Sequence, residues 1–421
     1  MSTITTPGTV RTTEPPSLLT VAPGRTAGRP LDPEARRDLL VDRLVDRLTA
    51  GRAEYQLDDW LTTLVSAPDV AYRHEIFTDL QTTAVREGLT EFSVGLQHVR
   101  RILAMAAKLY YRSEQRRWFL QVARDYVTTV RALAGTLGVA SLGSTALRGL
   151  ASWVDGYVAS PGFHALSAEA NELIEQFDEI RYRVRVHGDW VQVRPVDPDE
   201  PELASRVLAT FDRFRQEAPK SYLQQIRDPG AMDHVEAAIA SFVARLNPDV
   251  FASLGVFCSR HQPLVPPALD RVERELQFYL AYLDVMAATA SPGVTWSLPE
   301  IAVDRELSVK DGFDIVMVLG GSTDMVVPGD CRLADDERLV VITGPNQGGK
   351  TTFARMLGQL HLLARPERPC RPAVSGCPSS TRSSRSSSGA RTSRTCGGTC
   401  TTTWSAHMPC WSRSHRRVWY C

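Results

Sequence analysis

Leu339-Val340-Val341-Ile342-Thr343-Gly344-Pro345-Asn346-Gln347-Gly348-Gly349-Lys350-Thr351-Thr352 joins an apolar run to a glycine-rich loop, and Phe353 to Ala364 continues as an amphipathic stretch. The order is strand, GxxxxGK[ST] loop, helix, which is the full context that a phosphate-binding loop requires. The chemistry explains the spelling. Glycines let backbone N–H groups point inward at phosphate oxygens, and the start of a helix adds the positive end of its dipole. Lys350 has the reach for β- and γ-phosphates, and the Thr351 hydroxyl suits Mg²⁺. An ordinary Gly-rich turn would need neither the buried strand before it nor the helix after it. The motif therefore predicts a nucleoside triphosphate site.

The wording of the loop is narrower than the generic pattern. Ile342 to Arg355, ITGPNQGGKTTFAR, resembles the loop of MutS-type ATPases, which reads TGPNxGGKST followed by an aromatic residue and an Arg. Pro345 and Asn346 carry most of that resemblance, and Phe353 and Arg355 extend it. Upstream, Val326-Val327-Pro328-Gly329-Asp330 stands where the family has a V-P-N-D-like turn, with Gly329 in place of the usual Asn. The resemblance implies ATP and Mg²⁺ as cofactors, held by Gly344, Pro345, Asn346, Gln347, Gly348, Gly349, Lys350, Thr351 and Thr352, with Thr351 on the metal. It implies Val326 and Val327 as flanks of the adenine ring; the alternative is that both are buried strand residues. It also implies DNA as partner and a homodimer formed through the ATPase domain of the full-length protein.

Length and composition bound the rest. A chain of 421 residues suggests two to three domains with ample core. The formal charge is +0, but nine Arg and a single acidic residue, Glu367, lie from Pro366 onward, which leaves 39 basic and 47 acidic residues before it. The body is mildly acidic, and its overall charge does not announce nucleic acid. No run of about 18 apolar residues exists, so no membrane span is expected. The start, MSTITTPGTVRTTEPPSLLTVAPGRTAGRP, lacks the pattern of a secretion signal and reads as a disordered leader. Only Cys258 and Cys331 lie in the body, so no disulfide framework is implied and a cytoplasmic protein is expected.

The tail differs from everything before it. Residues 366–421 contain no Leu, Ile or Phe, and six of the eight cysteines fall there. Cys396 and Cys400 with His407 or His415 do not have the spacing of a zinc ribbon or finger. An Arg/Ser-rich RNA-binding tail is opposed by the interspersed Trp and Cys. A third reading is that the tail is translated out of frame from near Arg365 to Glu367. Most amino acids fix the first two bases of their codons. With G- or C-ending codons, a frame displaced by one base turns Arg391 to Arg413 into roughly DLEDLRGxLHDDLVRAHALLEQ. That string has Leu at helical spacing with charges on the other face, and it resembles the MutS-family segment after the nucleotide loop. In that family the carboxylates that hold Mg²⁺ and polarise water, and the signature loop, come later still. The expectation is a phosphate cradle without its hydrolytic half.

Ahead of the loop the pattern is helical. Leu39, Leu40, Leu44 and Leu48 fall on one face after Pro33. Leu57 to Leu64 and Val70 to Leu80 continue it, and Ser93 to Leu137 is the longest stretch. Others run over Ala146–Ala159, Leu166–Ile180, Glu202–Glu217, Met232–Leu246 and Pro267–Ala288. Tyr182 to Arg194 alternates around Gly188-Asp189, which signals a β-hairpin. The expected fold class is a mainly α-helical body with one β-hairpin, followed by the first part of an α/β P-loop (ABC-type) ATPase domain and a disordered C-terminal tail. The expected divisions are a leader over 1–31, a helical core and lever over 32–300, the ATPase portion over 301–365, and the out-of-frame tail over 366–421. Arg100, Arg101, Lys108, Arg112, Arg116 and Arg117 form a basic face that could meet phosphates, against the plainer reading of a solvated helix face.

No candidate exists for the family's mismatch-reading domain with its Phe-x-Glu wedge. The leading expectation is a MutS-family protein acting on DNA in repair or recombination. The alternatives are a non-catalytic nucleotide-binding helical scaffold, and a DNA-associated P-loop ATPase with a long coiled coil. The short, Pro- and Gly-broken helices speak against the last.

Overall fold

The structure, a computed structural model, describes residues 14–21, 29–187, 190–196, 234–291, 294–302, 307–321, 326–334, 336–337, 339–345, 347–364, 371–375, 402–406 and 416–420. The helical stretch expected over Glu202–Glu217 lies outside them. The chain divides into two compact units, one of residues 1–87, 140–151 and 268–421, the other of 88–139 and 152–267.

The first unit holds the glycine-rich loop. A short antiparallel pair, β1 (Arg29–Pro30) and β2 (Thr63–Leu64), opens it. Helix α1 (Pro33–Asp38) starts with Pro33 in its first turn and with Asp32 as cap, whose carboxylate accepts from the Glu34 and Ala35 amides. The Leu39/Leu40/Leu44/Leu48 stripe predicts one continuous helix, but the chain breaks at Leu40, which adopts a left-handed backbone with φ 54° before α2 (Val41–Thr49). A left-handed Leu is strained, because its Cβ crowds the following carbonyl. Helices α3 (Asp58–Leu61) and α4 (Ala67–Asp79) follow; Ser66 caps α4 by accepting from the Asp69 amide. The expected long helix is two, α5 (Thr83–Ala106) and α6 (Arg112–Val139), with the turn between them carrying exposed Tyr110. From Gly88 to Val139 these two helices belong to the second unit; α7 (Thr145–Val158) starts in the first and leaves it after Ala151, and the chain returns in α11 (Pro267–Ala288). Helices α4 and α11 meet through aromatic edges, Phe77 on Tyr279 at 4.9 Å and on Tyr282 at 6.1 Å between centroids, with the Arg73 guanidinium 5.0 Å over Phe278.

Part of the leader is fixed. Residues 14–21 lie against α4 and α11, with Leu18 and Leu19 buried. Side chains meet the backbone of this segment almost group by group. Arg271 donates to the Pro15 carbonyl at 2.6 Å, Tyr72 to Ser17 at 2.8 Å, Tyr279 to Leu18, and Arg73 to Leu19 at 2.9 Å. Glu275 and Asp69 accept from the Leu18 and Val21 amides at 2.5 and 2.9 Å. The expectation of a wholly disordered leader is corrected for this segment. Two leucines bury enough apolar surface, and the side-chain bonds remove the cost of burying an extended backbone.

The second unit is helical with one hairpin. Helices α8 (Pro161–Glu179), α9 (His234–Leu246) and α10 (Pro248–Arg260) accompany α6. Phe119 meets Phe257 at 6.0 Å and Phe177 meets Phe251 at 5.2 Å. The alternating stretch forms β3 (Tyr182–His187) and β4 (Trp190–Pro195), paired antiparallel with Val184 opposite Val193. The turn residues Gly188 and Asp189 lie outside the described residues.

Back in the first unit, β5 (Glu300–Ala302), β6 (Leu307–Gly312), α12 (Ile315–Leu319), β7 (Gly329–Leu333), β8 (Leu339–Ile342) and α13 (Lys350–Ala364) complete the described body. Most of the tail lies outside the described residues. Within it, β9 (Arg371–Ser375) pairs with β5 and β6, and β11 (Arg416–Tyr420) pairs in parallel with β8 and antiparallel with β10 (Thr402–Ala406). Beneath α13 sits a core of Leu307, Val309, Cys331, Leu333, Met356, Leu357 and Leu360, with Val340 and Phe353 packed on it. Among the described residues no helix is long and apolar enough to cross a membrane.

His74 gives a test of this core. It lines an apolar cavity of about 80 Å³ between α4, α11 and the end of α13, with Phe77, Phe278 and Trp296. Burial, helped by the Arg73 charge, pushes its pKa down to about 4. The folded protein therefore holds His74 neutral where the unfolded chain protonates it, and stability falls as pH drops below the unfolded value of about 6.5. Between pH 7 and pH 5 this contribution amounts to about 2 kcal/mol. Urea midpoints of the wild type and His74→Leu at the two pH values check it. The wild type should lose more stability than the variant by that amount, and parallel losses would rule the assignment out.

Candidate nucleotide-binding site

Strand β8 delivers the chain into the loop, and α13 takes it away at Lys350. Gly344 has φ 153° and Gly349 has φ 80°, conformations that residues with a Cβ rarely adopt, and Gln347 between them sits at φ 69°. These reversals of handedness let successive amides face the same side, the concavity that binds anions. A turn from the Gly348 amide to the Pro345 carbonyl, 3.1 Å, tightens the loop, and the Phe353 amide makes the first helical bond to Gly349 at 2.9 Å. By helix geometry the amides of Lys350, Thr351 and Thr352 then have no acceptor within the helix. Lys350 Nζ donates across the loop to the carbonyls of Gly344 at 2.6 Å and Pro345 at 3.2 Å. That holds the ammonium over the concavity. Residues 339–364 contain Lys350 and Arg355 but no Asp or Glu, so no carboxylate in this segment opposes the charge. Thr351 is exposed and Thr352 half-buried; Asn346 lies outside the described residues.

This arrangement fits a polyphosphate. The amides at the start of α13 and the Lys350 ammonium are donors only, and the Thr351 hydroxyl can donate or ligate a metal. Eight of the nine expected loop residues are described, and they form this one turn.

Val326 and Val327 precede β7 and are not strand residues. Val327 is 87% exposed, so the buried-strand reading does not apply to it. Two residues further on, Gly329 meets the first turn of α13. A Cβ there would lie 2.9 Å from Cε2 of Phe353, too close for any side chain unless the ring moves. This accounts physically for glycine where the resembled family has Asn. Asp330 closes the same corner by accepting from the Asp311 amide at 2.7 Å.

The helix behind the loop is held by a group that the sequence did not single out. Asp314 is 3% exposed and caps α12, accepting from the Val316 amide at 3.0 Å. Arg355 reaches its other oxygen with two nitrogens, Nε at 2.5 Å. Gln359 donates to Asp314 at 3.0 Å and accepts from the Ile315 amide at 2.9 Å. A fork of this kind compensates a buried carboxylate through charge and hydrogen bonds together. The available signal was a Gln on the apolar face of α13 and an Asp directly before Ile315-Val316-Met317-Val318.

Two comparisons with known proteins bear on the class. Over 124 residues, 28% of this chain and 13% of the relative, the sequence is 33% identical to "DNA mismatch repair protein MutS" of Synechococcus elongatus. Over 87 residues, 20% of this chain and 10% of the relative, it is 36% identical to the protein of the same name from Synechococcus sp. (strain CC9311). The chain thus spans 13% or less of the length of these relatives, and the likeness is confined to the matched stretches. No protein-family model matches the chain.

The corner at Gly329 yields a second prediction. Gly329→Asn should displace the Phe353 ring and destabilise the protein by about 1–3 kcal/mol, the usual cost of overpacking. Chemical denaturation measures it. An unchanged midpoint would mean that the ring yields freely and that the glycine needs another explanation.

Proposed function

We propose that this chain is a MutS-related ATP-binding protein that acts on DNA in repair or recombination. Gly344, Pro345, Asn346, Gln347, Gly348, Gly349, Lys350, Thr351 and Thr352 take the phosphates, Thr351 ligates Mg²⁺, and Val326 and Val327 border the adenine. The observation that carries this reading is the loop itself: a strand, a turn with glycines at positive φ, and a helix beginning at the lysine that crosses the concavity. The matched relatives are named for DNA mismatch repair, which supports DNA as partner and repair as the setting. A second copy of the ATPase portion is the partner that the family resemblance implies.

A second reading, nucleotide binding without turnover, is favoured by one feature of the tail. Hydrolysis needs a group that polarises water in line with the scissile bond. After Ala364 the sequence offers one carboxylate, Glu367. In this reading the chain binds ATP and hydrolyses it no faster than background, while a restored frame downstream of Arg365 brings turnover.

Lys350 provides the test. Its ammonium crosses the loop to the Gly344 and Pro345 carbonyls, so Lys350→Ala should weaken Mg–ATP binding 10- to 100-fold, about 1.4–2.7 kcal/mol. Fluorescent ATP titration reads this, and a parallel phosphate-release assay reads turnover. Equal affinities in the two proteins would end the assignment of the loop. Turnover that disappears in Lys350→Ala would end the reading without hydrolysis.

A further inference from the structure

The break at Leu40 lies where the sequence pattern calls for an unbroken helix, and α13 touches it directly. In a continuous helix the Leu39 carbonyl would accept from the Arg43 amide. Here the Arg43 amide bonds to Leu40 instead, at 3.1 Å, and the Leu39 carbonyl accepts from Gln359 Nε2 at 3.1 Å. Gly358, one residue before Gln359, admits the Leu39 side chain: a Cβ there would lie 2.3 Å from Leu39 Cδ2. Leu39 is therefore keyed onto α13 by backbone and side chain at once. Gln359 is 3% exposed and makes three hydrogen bonds, to Leu39, Asp314 and the Ile315 amide. Its helix begins at the loop lysine.

We propose that the α1–α2 junction is a two-state element and that Gln359 holds it in the broken form. The other form is the single helix that Leu39, Leu40, Leu44 and Leu48 are patterned for, with the Leu39 carbonyl returned to the Arg43 amide and Leu40 relaxed to right-handed backbone. A bulky residue held at positive φ stays there only while its surroundings over-determine it, and such strain gathers at switching sites. The hydrogen bond from Gln359 is that determinant. Because α13 runs as one rigid element from Lys350 to Gln359, phosphate drawn into the loop shifts the helix along its axis and withdraws Gln359 from Leu39. Gln359 is a positioning residue: it touches no nucleotide and passes on whether the loop is filled.

The trigger rests on the ATP-binding reading above; the joint does not. Amide hydrogen exchange of the whole chain, with and without Mg²⁺ and a non-hydrolysable ATP analogue, reads both. In the wild type, nucleotide should slow exchange of the Leu40 to Arg43 amides about tenfold. Gln359→Leu should show that slowing without nucleotide and no further response, and by the reciprocity of linkage it should bind fluorescent ATP at least as tightly as the wild type. Leu40→Gly, which accepts the left-handed backbone without strain, should keep fast exchange in both conditions; it keeps the proposal testable if Gln359→Leu does not fold. A wild type that binds no nucleotide defeats the ATP reading alone, and the comparison of the two variants without nucleotide still decides the joint. Exchange at Leu40 to Arg43 that is the same in Gln359→Leu as in the wild type, or a nucleotide response that survives that substitution, overturns the proposal.

Discussion

A carboxylate buried at Asp314 sets how the loop-bearing helix can sit. Leaving such a charge uncompensated away from water costs several kcal/mol, so the protein must bring donors to it. It brings an arginine fork and a glutamine amide, both from α13, and a backbone amide from α12. The two side chains are four residues apart and share one face of the helix. Satisfying Asp314 thus fixes the rotation of α13 about its axis. With rotation fixed, Met356, Leu357 and Leu360 face the β6–β7 core, and Phe353 lies on Gly329. The position of Lys350 over the loop follows from the same constraint, since it is the first residue of that helix.

The leader segment applies the same logic to an extended chain. Residues 14–21 bring no neighbouring strand, so their carbonyls and amides depend on side chains from α4 and α11. The carboxylate of Glu275 accepts the Leu18 amide, and burial pushes its pKa up against that bond. Polar residues that look costly inside a helical unit, Arg73, Glu275 and Tyr279, are there to complete a backbone that arrives from far away in sequence.

Much of this was legible in the residues. The period-two stretch around Gly188-Asp189 specified β3 and β4, and the spacing from Pro267 to Ala288 specified α11, because each pattern is long and unmixed. The loop was legible because its glycines, lysine and threonine answer to one local geometry. Helix α10 was missed although Asn247-Pro248 marks its start and Leu254, Phe257 and Cys258 have helical spacing; Gly255 and two flanking breaks obscured a short element. The continuous pattern from Ser93 to Leu137 hid the turn after Ala106, since periodicity survives a break that preserves the apolar face. Leu40 failed for a different reason. The Leu39 carbonyl before it is bonded to Gln359, 320 residues later, and no local rule reads a contact of that range. Asp314, Gln359 and the anchored leader belong to the same class, in which tertiary hydrogen bonds override local propensity.

The most direct measurement is a crystal structure of the chain with Mg²⁺ and a non-hydrolysable ATP analogue. With nucleotide bound, Lys350 Nζ should leave the Gly344 and Pro345 carbonyls for phosphate oxygens, the amides at the start of α13 should donate to the same phosphates, and the metal should lie on the Thr351 hydroxyl. A saturated crystal in which Lys350 stays on those carbonyls, or in which nucleotide occupies another part of the chain, would contradict this arrangement.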